Sequence, residues 1–212
     1  MSFLLKVYKE KYIKDMYENE YLFFNTLDEF RKLDEQGIKR NDPNEGATNI
    51  KQLKTLSVKL NDQWYDYSKI LREFSAQLFE KPTGYNINVC SLSKLDISDR
   101  LEVEFPDERI YDFGDWCLVL YSLDRFVKIF KESCENRGLD FEIREVKYYD
   151  KRAFNGELTP FHKSDDHLYQ KEVRILIYPA GEEAIKLELP GLKEIAFIGS
   201  KEAFKTLRLD YK

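Results

Sequence analysis

The sequence predicts an α+β fold in which a mostly antiparallel sheet is flanked by helices. Short segments with strand-like alternation, such as residues 85–91, dominate the chain. Helical patterns are interspersed among them, which favours a mixed fold over an all-β one. The 212 residues include 9 glycines and 6 prolines and contain no repeat or composition break. We therefore expect a single domain over residues 1–212.

The first third of the chain is predicted to alternate between strands and helices. Residues 10–19 are polar with apolar side chains three to four apart, which indicates an amphipathic helix. Residues 21–26 are largely aromatic and apolar, which is typical of a buried strand. Asn25 or Thr26 then caps a helix that Gly37 closes. The other elements predicted here are a strand at residues 4–8, a loop at 40–46 and a hairpin within 55–67 that turns at Asn61-Asp62.

The strongest helical pattern lies between Ser122 and Gly138. Its apolar face is formed by Phe126, Ile129, Phe130 and Cys134. We expect this face to pack against the continuously apolar strand 116–121. Further strands are predicted at residues 85–91, 141–149, 169–178, 185–189 and 195–198, and a short helix after Ser200.

Composition and charge exclude several classes of protein. The net charge of −5, from 34 basic and 39 acidic residues, disfavours a protein that coats duplex nucleic acid. No apolar run approaches the roughly 18 residues of a membrane span, and the first residues do not resemble a signal peptide. The three cysteines form no CxxC pair, so we expect a cytoplasmic protein. Two histidines are too few for a His-rich zinc site, and no metal site is predicted.

The loop 40–46 gathers polar side chains around one proline. Arg40, Asp42 and Glu45 flank Pro43, which fixes its own φ and favours extended backbone at the preceding residue. Loops between a sheet and a helix often carry binding residues. The simpler interpretation is an Asx turn in which Glu45 caps the next helix. Both interpretations remain open for this loop.

A second candidate is the segment 90–94, at the predicted end of a strand. Ser91 and Ser93 are two residues apart, so in extended backbone their hydroxyls share one face. Such a pair can orient a ribose or a neighbouring carboxylate. The simpler alternative is a strand-exit turn whose hydroxyls bond the local backbone.

The third candidate is the strand predicted at residues 169–178. Alternation places every second residue from Val173 on an apolar face and Gln170, Glu172 and Arg174 on the opposite face. An amide and a carboxylate side by side can grip a ribose hydroxyl and stabilise positive charge at the neighbouring anomeric carbon. The simpler alternative is an exposed sheet face with a Glu172–Arg174 surface ion pair.

Lys163 and His167 precede this strand and are further candidate binding residues, although His167 is also compatible with an ordinary surface position. We predict that the loop and the strand meet, with Asp42, Glu45, Glu172 and Arg174 close together and Arg174 paired with a loop carboxylate. A metal-dependent phosphodiesterase is a further hypothesis, without a compact metal motif, built from Asp42, Glu45, Asp165, Asp166 and His167.

The order of these segments resembles an uncharacterised family of bacterial and phage proteins, catalogued as a domain of unknown function. The shared features are an aromatic strand, an Asn-Asp-Pro-x-Glu loop, a Cys-x-Ser strand, a Phe-Gly strand and a late Lys…Glu-x-Arg segment. In this chain they correspond to Tyr21–Thr26, Asn41–Glu45, Cys90–Ser93, Phe113-Gly114 and Lys163…Glu172–Arg174. Many members carry a Trp-Ala-His-Tyr-like sequence after the cysteine strand, which residues 95–111 lack.

A more distant resemblance is to the ADP-ribosyltransferases. Ser91–Ser93 is similar to their Ser-x-Ser element, and Gln170–Glu172 is similar to their later Gln-x-Glu strand. The resemblance implies that Glu172 bonds the nicotinamide ribose and stabilises an oxocarbenium-like transition state, that Gln170 orients the acceptor, and that Ser91 positions Glu172. These enzymes also carry an Arg or His on an early strand, which residues 21–26 lack. Arg31 or Arg40 could substitute for it from a helix or a loop.

Two functions from different classes are therefore open. One is NAD-dependent ADP-ribosyl transfer or NAD cleavage, as in a toxin or phage-conflict effector, with NAD as co-substrate. The other is a non-catalytic binding module of a bacterial or phage conflict system that captures a partner or a small ligand. Either function implies a protein, nucleotide or small-molecule target and no membrane.

Overall fold

The computed structural model describes residues 2–27, 29, 44–69, 76–81, 87–98, 103–179 and 183–208. Its helices are α1 (Glu10–Glu18), α2 (Leu123–Asn136) and α3 (Lys201–Lys205), with 3₁₀ helices at Tyr67–Lys69, Glu108–Phe113, Asp165–Gln170 and Leu192–Glu194. Its strands are β1 (Ser2–Tyr8), β2 (Tyr21–Thr26), β3 (Asn49–Leu53), β4 (Ser57–Leu60), β5 (Gln63–Asp66), β6 (Ala76–Glu80), β7 (Asn88–Asp96), β8 (Trp116–Leu120), β9 (Asp140–Glu145), β10 (Lys147–Tyr149), β11 (Gly156–Glu157), β12 (His162–Ser164), β13 (Glu172–Tyr178), β14 (Ile185–Glu188) and β15 (Ala196–Ser200). A large antiparallel sheet with helices makes the fold α+β, as predicted.

The central sheet forks at strand β7. Along one edge β7 pairs with β13, from Asn88 opposite Ile177 to Ser93 opposite Glu172. The other edge is shared, because β2 pairs with residues 88–89 and β1 pairs with residues 93–96. Strand β9 lies beyond β13, β14 lies beyond β2, and β8 and β15 lie beyond β1. Among the described strands, none pairs with residues 90–92 on that shared edge, so the sheet opens there.

One face of this sheet carries the main hydrophobic core. Leu118, Ile175 and Leu4 of the sheet pack with Phe126 and Phe130 of α2, and α1 contributes to the same cluster. Phe130 is fully buried, and Phe126, Phe130 and Cys134 of α2 share one cluster with Leu118 and Leu120 of β8, in agreement with the prediction. Full burial of each such side chain contributes about 1.5–3 kcal/mol.

The opposite face carries two smaller apolar clusters with polar residues between them. The first cluster gathers around Leu5 and Val119, and the second gathers around Val89 and Leu176. Since paired residues of an antiparallel sheet point to the same side, Ser93 and Glu172 lie on this face between the two clusters.

The structure corrects three predicted strands. The strand predicted at 169–178 begins at Glu172, because Ser164 caps a 3₁₀ helix over Asp165–Gln170. The strand predicted at 85–91 runs on to Asp96, because β1 and β13 continue to pair with it. The strand predicted at 141–149 divides at Val146, whose neighbour Lys147 starts a separate parallel pair with β12.

Other predictions are confirmed within the described part of the chain. Strands β4 and β5 form the predicted hairpin, with Asn61 and Asp62 at positive φ as a two-residue turn requires. The Thr26 hydroxyl accepts a hydrogen bond from the backbone N–H of Glu29, but the rest of the helix predicted at 27–33 lies outside the described residues. Among the described helices, none is long and apolar enough to cross a membrane.

Candidate functional site

A cleft of about 570 Å³ opens at the fork of the sheet. Its walls include the ends of β1 and β2, which separate from each other there, and the stretch of β7 that lies between them. Ser91, Ser93, Gln170, Glu172 and Arg174 all line it. The pairing of β7 with β13 brings the two serines to Glu172 and Arg174, although they come from distant parts of the chain.

Arg174 is the centre of a buried ion cluster at this cleft. Its guanidinium donates to Glu45 through both terminal nitrogens, at 2.6 and 2.9 Å, and through Nε to Glu172 at 2.7 Å. The backbone carbonyl of Pro160 accepts a further hydrogen bond. Arg174 is 2% exposed and Glu172 is 4% exposed. The bidentate pair with Glu45 confirms the predicted meeting of loop and strand, although Asp42 and Arg40 lie outside the described residues.

Lys163, on β12, links the two residues of the predicted Gln-x-Glu pair. Its ammonium group donates to Gln170 Oε1 and to Glu172 Oε2, both at 2.9 Å, and lies 4.0 Å from Glu45 Oε2. Gln170 ends the 3₁₀ helix and does not share a strand with Glu172, so the prediction of two neighbouring strand residues is wrong. The lysine, and not strand alternation, brings the amide and the carboxylate together.

Glu172 is held in its ionised form. Burial alone would raise the pKa of Glu172, but the charges of Arg174 and Lys163 and the hydrogen bond from Arg174 hold it well below its usual range. Ser91 lies opposite Arg174 on the neighbouring strand, and Ser93 lies opposite Glu172. The backbone N–H of Glu172 donates to the Tyr148 hydroxyl at 2.8 Å, and burial is the main reason why the pKa of Tyr148 is raised to about 12.

The simpler interpretations of these segments are wrong in this structure. Glu172 and Arg174 do pair, but they are buried rather than on an exposed sheet face. Ser91 and Ser93 lie in the middle of β7, not in a strand-exit turn, and their shared face is the one that lines the cleft.

His167 does not join the site. It lies on the 3₁₀ helix with its ring 6.4 Å from that of Tyr169, and it is not among the described residues that line the cleft. In the described part of the chain, no three or more His, Cys, Asp or Glu side chains are grouped so that they could hold a metal ion. Two carboxylates of the metal-site hypothesis form ion pairs with cationic side chains: Glu45 with Arg174, and Asp166 with Lys151.

Sequence reasoning missed Lys6. This lysine interrupts the apolar strand β1. Its ammonium group donates to the Ser91 carbonyl at 2.8 Å, at the point where the edge of β7 shared by β1 and β2 has no strand partner among the described residues. The side chain supplies the hydrogen bond that a paired strand would otherwise provide. A single charged residue inside the otherwise apolar run 3–7 is the signal that could have identified it.

A glycine is needed at position 114 because the backbone of β1 approaches it closely at the wall of the cleft. A Cβ at this position would lie 2.1 Å from the carbonyl carbon of Tyr8, so only glycine permits the backbone of β1 to approach this closely. The contact sets the end of β1 beside the 3₁₀ helix Glu108–Phe113, whose Ile110 and Phe113 also line the cleft. The Phe-Gly element singled out in the sequence thus has a structural role at the cleft.

Comparison of the chain with protein-family models, with curated proteins and with solved structures gives no match. The case for a function therefore depends on the geometry and chemistry of the cleft.

Proposed function

We propose that the cleft binds NAD and that Glu172 supports cleavage of the bond between the ribose and nicotinamide, with transfer of ADP-ribose to an acceptor or to water. The observation that carries this proposal is the convergence of Glu172, Ser91, Gln170 and Lys163 on one cleft. At about 570 Å³, the cleft has the size of a typical small-molecule site.

The proposed reaction breaks the C–N bond between C1 of the ribose and the ring nitrogen of nicotinamide. The bonding electron pair leaves with nicotinamide, whose ring nitrogen loses its positive charge. Positive charge then develops on the ribose, and a carboxylate that remains ionised stabilises it. The acceptor, or water, forms the new bond to C1 of the ribose and releases a proton to solvent. The low pKa of Glu172 suits this role, because the group carries its negative charge throughout the neutral pH range.

Glu172 retains capacity for a ligand hydroxyl. A carboxylate can accept about four hydrogen bonds. Among the described residues, the side chains of Arg174 and Lys163 donate to it. An additional acceptor position therefore remains for a ribose hydroxyl. Lys6 also supports the proposal, since it supplies a cation on an early strand, where the resemblance to ADP-ribosyltransferases implies one.

A non-catalytic binding module is the second candidate, and a specific observation favours it. Each carboxylate oxygen of Glu172 is bonded to a cationic side chain, and these positive charges oppose its stabilisation of a further cation. In this alternative the ion cluster holds the floor of the cleft in shape, and the captured ligand leaves unchanged.

Incubation with NAD labelled in the nicotinamide, in the presence of cell extract as a source of acceptors, separates the two functions. We expect the wild-type protein to release nicotinamide. Glu172→Gln should lower the rate on the order of a hundredfold or more, because preorganised charge at a transition state contributes about 3–4 kcal/mol. The matched control is Glu145→Gln, which removes the carboxylate of another Glu–Lys pair of the same sheet, outside the cleft.

Thermal unfolding of both variants must show that they are folded at the assay temperature. A wild-type protein that binds NAD and releases no nicotinamide would overturn the catalytic proposal and leave the binding module. A Glu172→Gln variant with the activity of Glu145→Gln would remove Glu172 from the chemistry.

A further inference from the structure

Three aromatic side chains that line the cleft are exposed. Tyr8 at the end of β1, Tyr12 on α1 and Phe23 on β2 all line the cleft, and 38%, 42% and 40% of their surfaces are exposed. The rings of Tyr8 and Tyr12 lie 5.2 Å apart. Single exposed aromatic residues are ordinary, but several that line one cleft mark a place where an apolar, planar group binds.

The charge of the cleft differs in sign from that of the whole chain. Its described lining includes five cationic side chains and three carboxylates, whereas the chain carries a net charge of −5. Such an excess of positive charge, on an otherwise acidic protein, favours an anionic ligand.

Lys9 is the cation at the mouth that is available to a ligand. Lys186 also lines the cleft, but it forms an ion pair with Asp15 at 3.1 Å, and Lys163 forms one with Glu172. Lys9 is exposed and has neither an ion pair nor a side-chain hydrogen bond with any described residue. It follows Tyr8 directly in the chain, so an unpaired cation and an exposed ring stand at the same corner of the cleft.

From these features we infer that the mouth of the cleft is a subsite for a planar ring joined to a phosphate, the chemistry of a nucleotide. Phe23 and the Tyr8–Tyr12 pair contact the ring, and Lys9 binds the phosphate. This inference deepens the proposed function and rests on it, because NAD is one ligand that carries both groups. It adds that recognition depends on the ring and the phosphate together, at residues remote in sequence from Glu172.

Calorimetric titration of the full chain with three probes tests the subsite. ADP-ribose carries the ring and phosphates, adenosine carries the ring alone, and ribose 5-phosphate carries a phosphate alone. We expect ADP-ribose to bind at least tenfold more tightly than either of the other two. None of the three contains nicotinamide, so the measurement does not depend on catalysis.

Two variants assign the two halves of the subsite. Lys9→Gln should weaken ADP-ribose binding about fivefold and leave adenosine binding unchanged, because a charge-assisted contact to phosphate is lost. Phe23→Ala should weaken the binding of both ADP-ribose and adenosine by about tenfold, since the stacking of a base on an aromatic ring is lost. The matched controls are Lys131→Gln and Tyr65→Ala, which change an exposed lysine and an exposed aromatic residue outside the cleft.

Equal affinity for adenosine and ADP-ribose, or equal effects of the variants and their controls, would overturn the inference, as would no binding of ADP-ribose at all. The outcome is separable from the test of catalysis. Tight binding of ADP-ribose without release of nicotinamide supports the subsite and removes the proposed reaction. Release of nicotinamide at the same rate and KM by Lys9→Gln, Phe23→Ala and wild type supports the reaction and removes the subsite.

Discussion

The two faces of the central sheet are formed by the same strands and stabilised by different forces. On one face, Leu92 and Ile175 join an apolar cluster with α1 and α2. On the other face, Ser91 and Arg174 of the same two strands belong to a buried ion cluster beside a cleft. The first face needs only apolar residues of about the right size. The second face needs particular side chains at particular distances.

The buried ion cluster on the charged face is not explained by stability alone. A buried ion pair must overcome the cost of removing its charges from water, and apolar replacements of similar volume are often no less stable. Stability alone therefore does not explain four charged side chains, Glu45, Lys163, Glu172 and Arg174, below the cleft. We interpret the cluster as the support that fixes Glu172 and Gln170 in place for a ligand.

Arg174→Met should give the largest loss of stability. It leaves Glu45 and Glu172 buried with Lys163 as the remaining cation of the cluster, and breaking a buried ion pair costs about 3–5 kcal/mol. With two carboxylates affected, we expect the free energy of unfolding in urea to fall by about 5 kcal/mol.

The matched control for Arg174 is Arg144, which lies directly opposite it on β9 and has a side chain that is 63% exposed. Arg144→Met should cost less than about 1 kcal/mol. Equal losses for the two variants would show that the buried cluster contributes no more than an exposed arginine does.

Phe130→Ala tests the apolar face and should lower the free energy of unfolding slightly less than Arg174→Met does. Phe130 is fully buried between Phe24, Phe126 and Phe141, and truncation removes its transfer free energy and leaves a cavity. We expect a loss of about 4 kcal/mol in the same urea experiment. Val127, on the same helix and 44% exposed, is the control, and Val127→Ala should cost much less. A small effect at Phe130 would mean that α2 does not stabilise this face.

The sequence predicted the apolar face better than the charged one, for a physical reason. Alternation in β13 and the stripe of Phe126 and Phe130 are local patterns, so the strand and the helix could be predicted from neighbouring residues. The Glu45–Arg174 pair spans 129 residues, and only its chemical complementarity suggested it. Burial of Glu172, which depends on elements that cover it from elsewhere, was not predictable from the strand itself.

The roles of several site residues could not be predicted from the residues next to them in the sequence. Lys163 joins Gln170 to Glu172 because a 3₁₀ helix intervenes, and alternation had placed both residues in one strand. The exposed rings of Tyr8 and Phe23 became binding candidates only once the fork placed them on one cleft. The role of Gly114 required the close approach of Tyr8.

Glu172→Gln should have a moderate effect that depends on pH. At pH 7 it replaces charge-assisted hydrogen bonds by neutral ones, which costs about 2–3 kcal/mol. The folded-state pKa of Glu172 lies well below that of an unfolded glutamate, so its stabilising effect is complete above the unfolded pKa of about 4.3 and is lost as pH falls below it. The difference in unfolding free energy between wild type and Glu172→Gln should therefore shrink between about pH 5 and pH 3.

Wild type and Glu172→Gln share all other carboxylates. The titration of those groups therefore cancels in the difference in unfolding free energy between the two proteins. A difference that stays constant down to pH 3 would contradict an ionised Glu172 in the folded protein.

Glu80→Gln should have the smallest effect and isolates the influence of burial. Glu80 on β6 lies 2.6 Å from Lys51 on β3, closer than the 2.9 Å between Glu172 and Lys163. If distance alone decided the strength of an ion pair, the Glu80–Lys51 pair would stabilise the fold more than the Glu172–Lys163 pair. Its side chain is 48% exposed, however, and water screens such pairs, so we expect a loss below about 1 kcal/mol. In 1 M NaCl, where the screening length is about 3 Å, this small loss should vanish while that of Glu172→Gln at pH 7 persists. Equal salt sensitivity of the two variants would mean that Glu172 is reached by solvent and does not belong to a buried cluster.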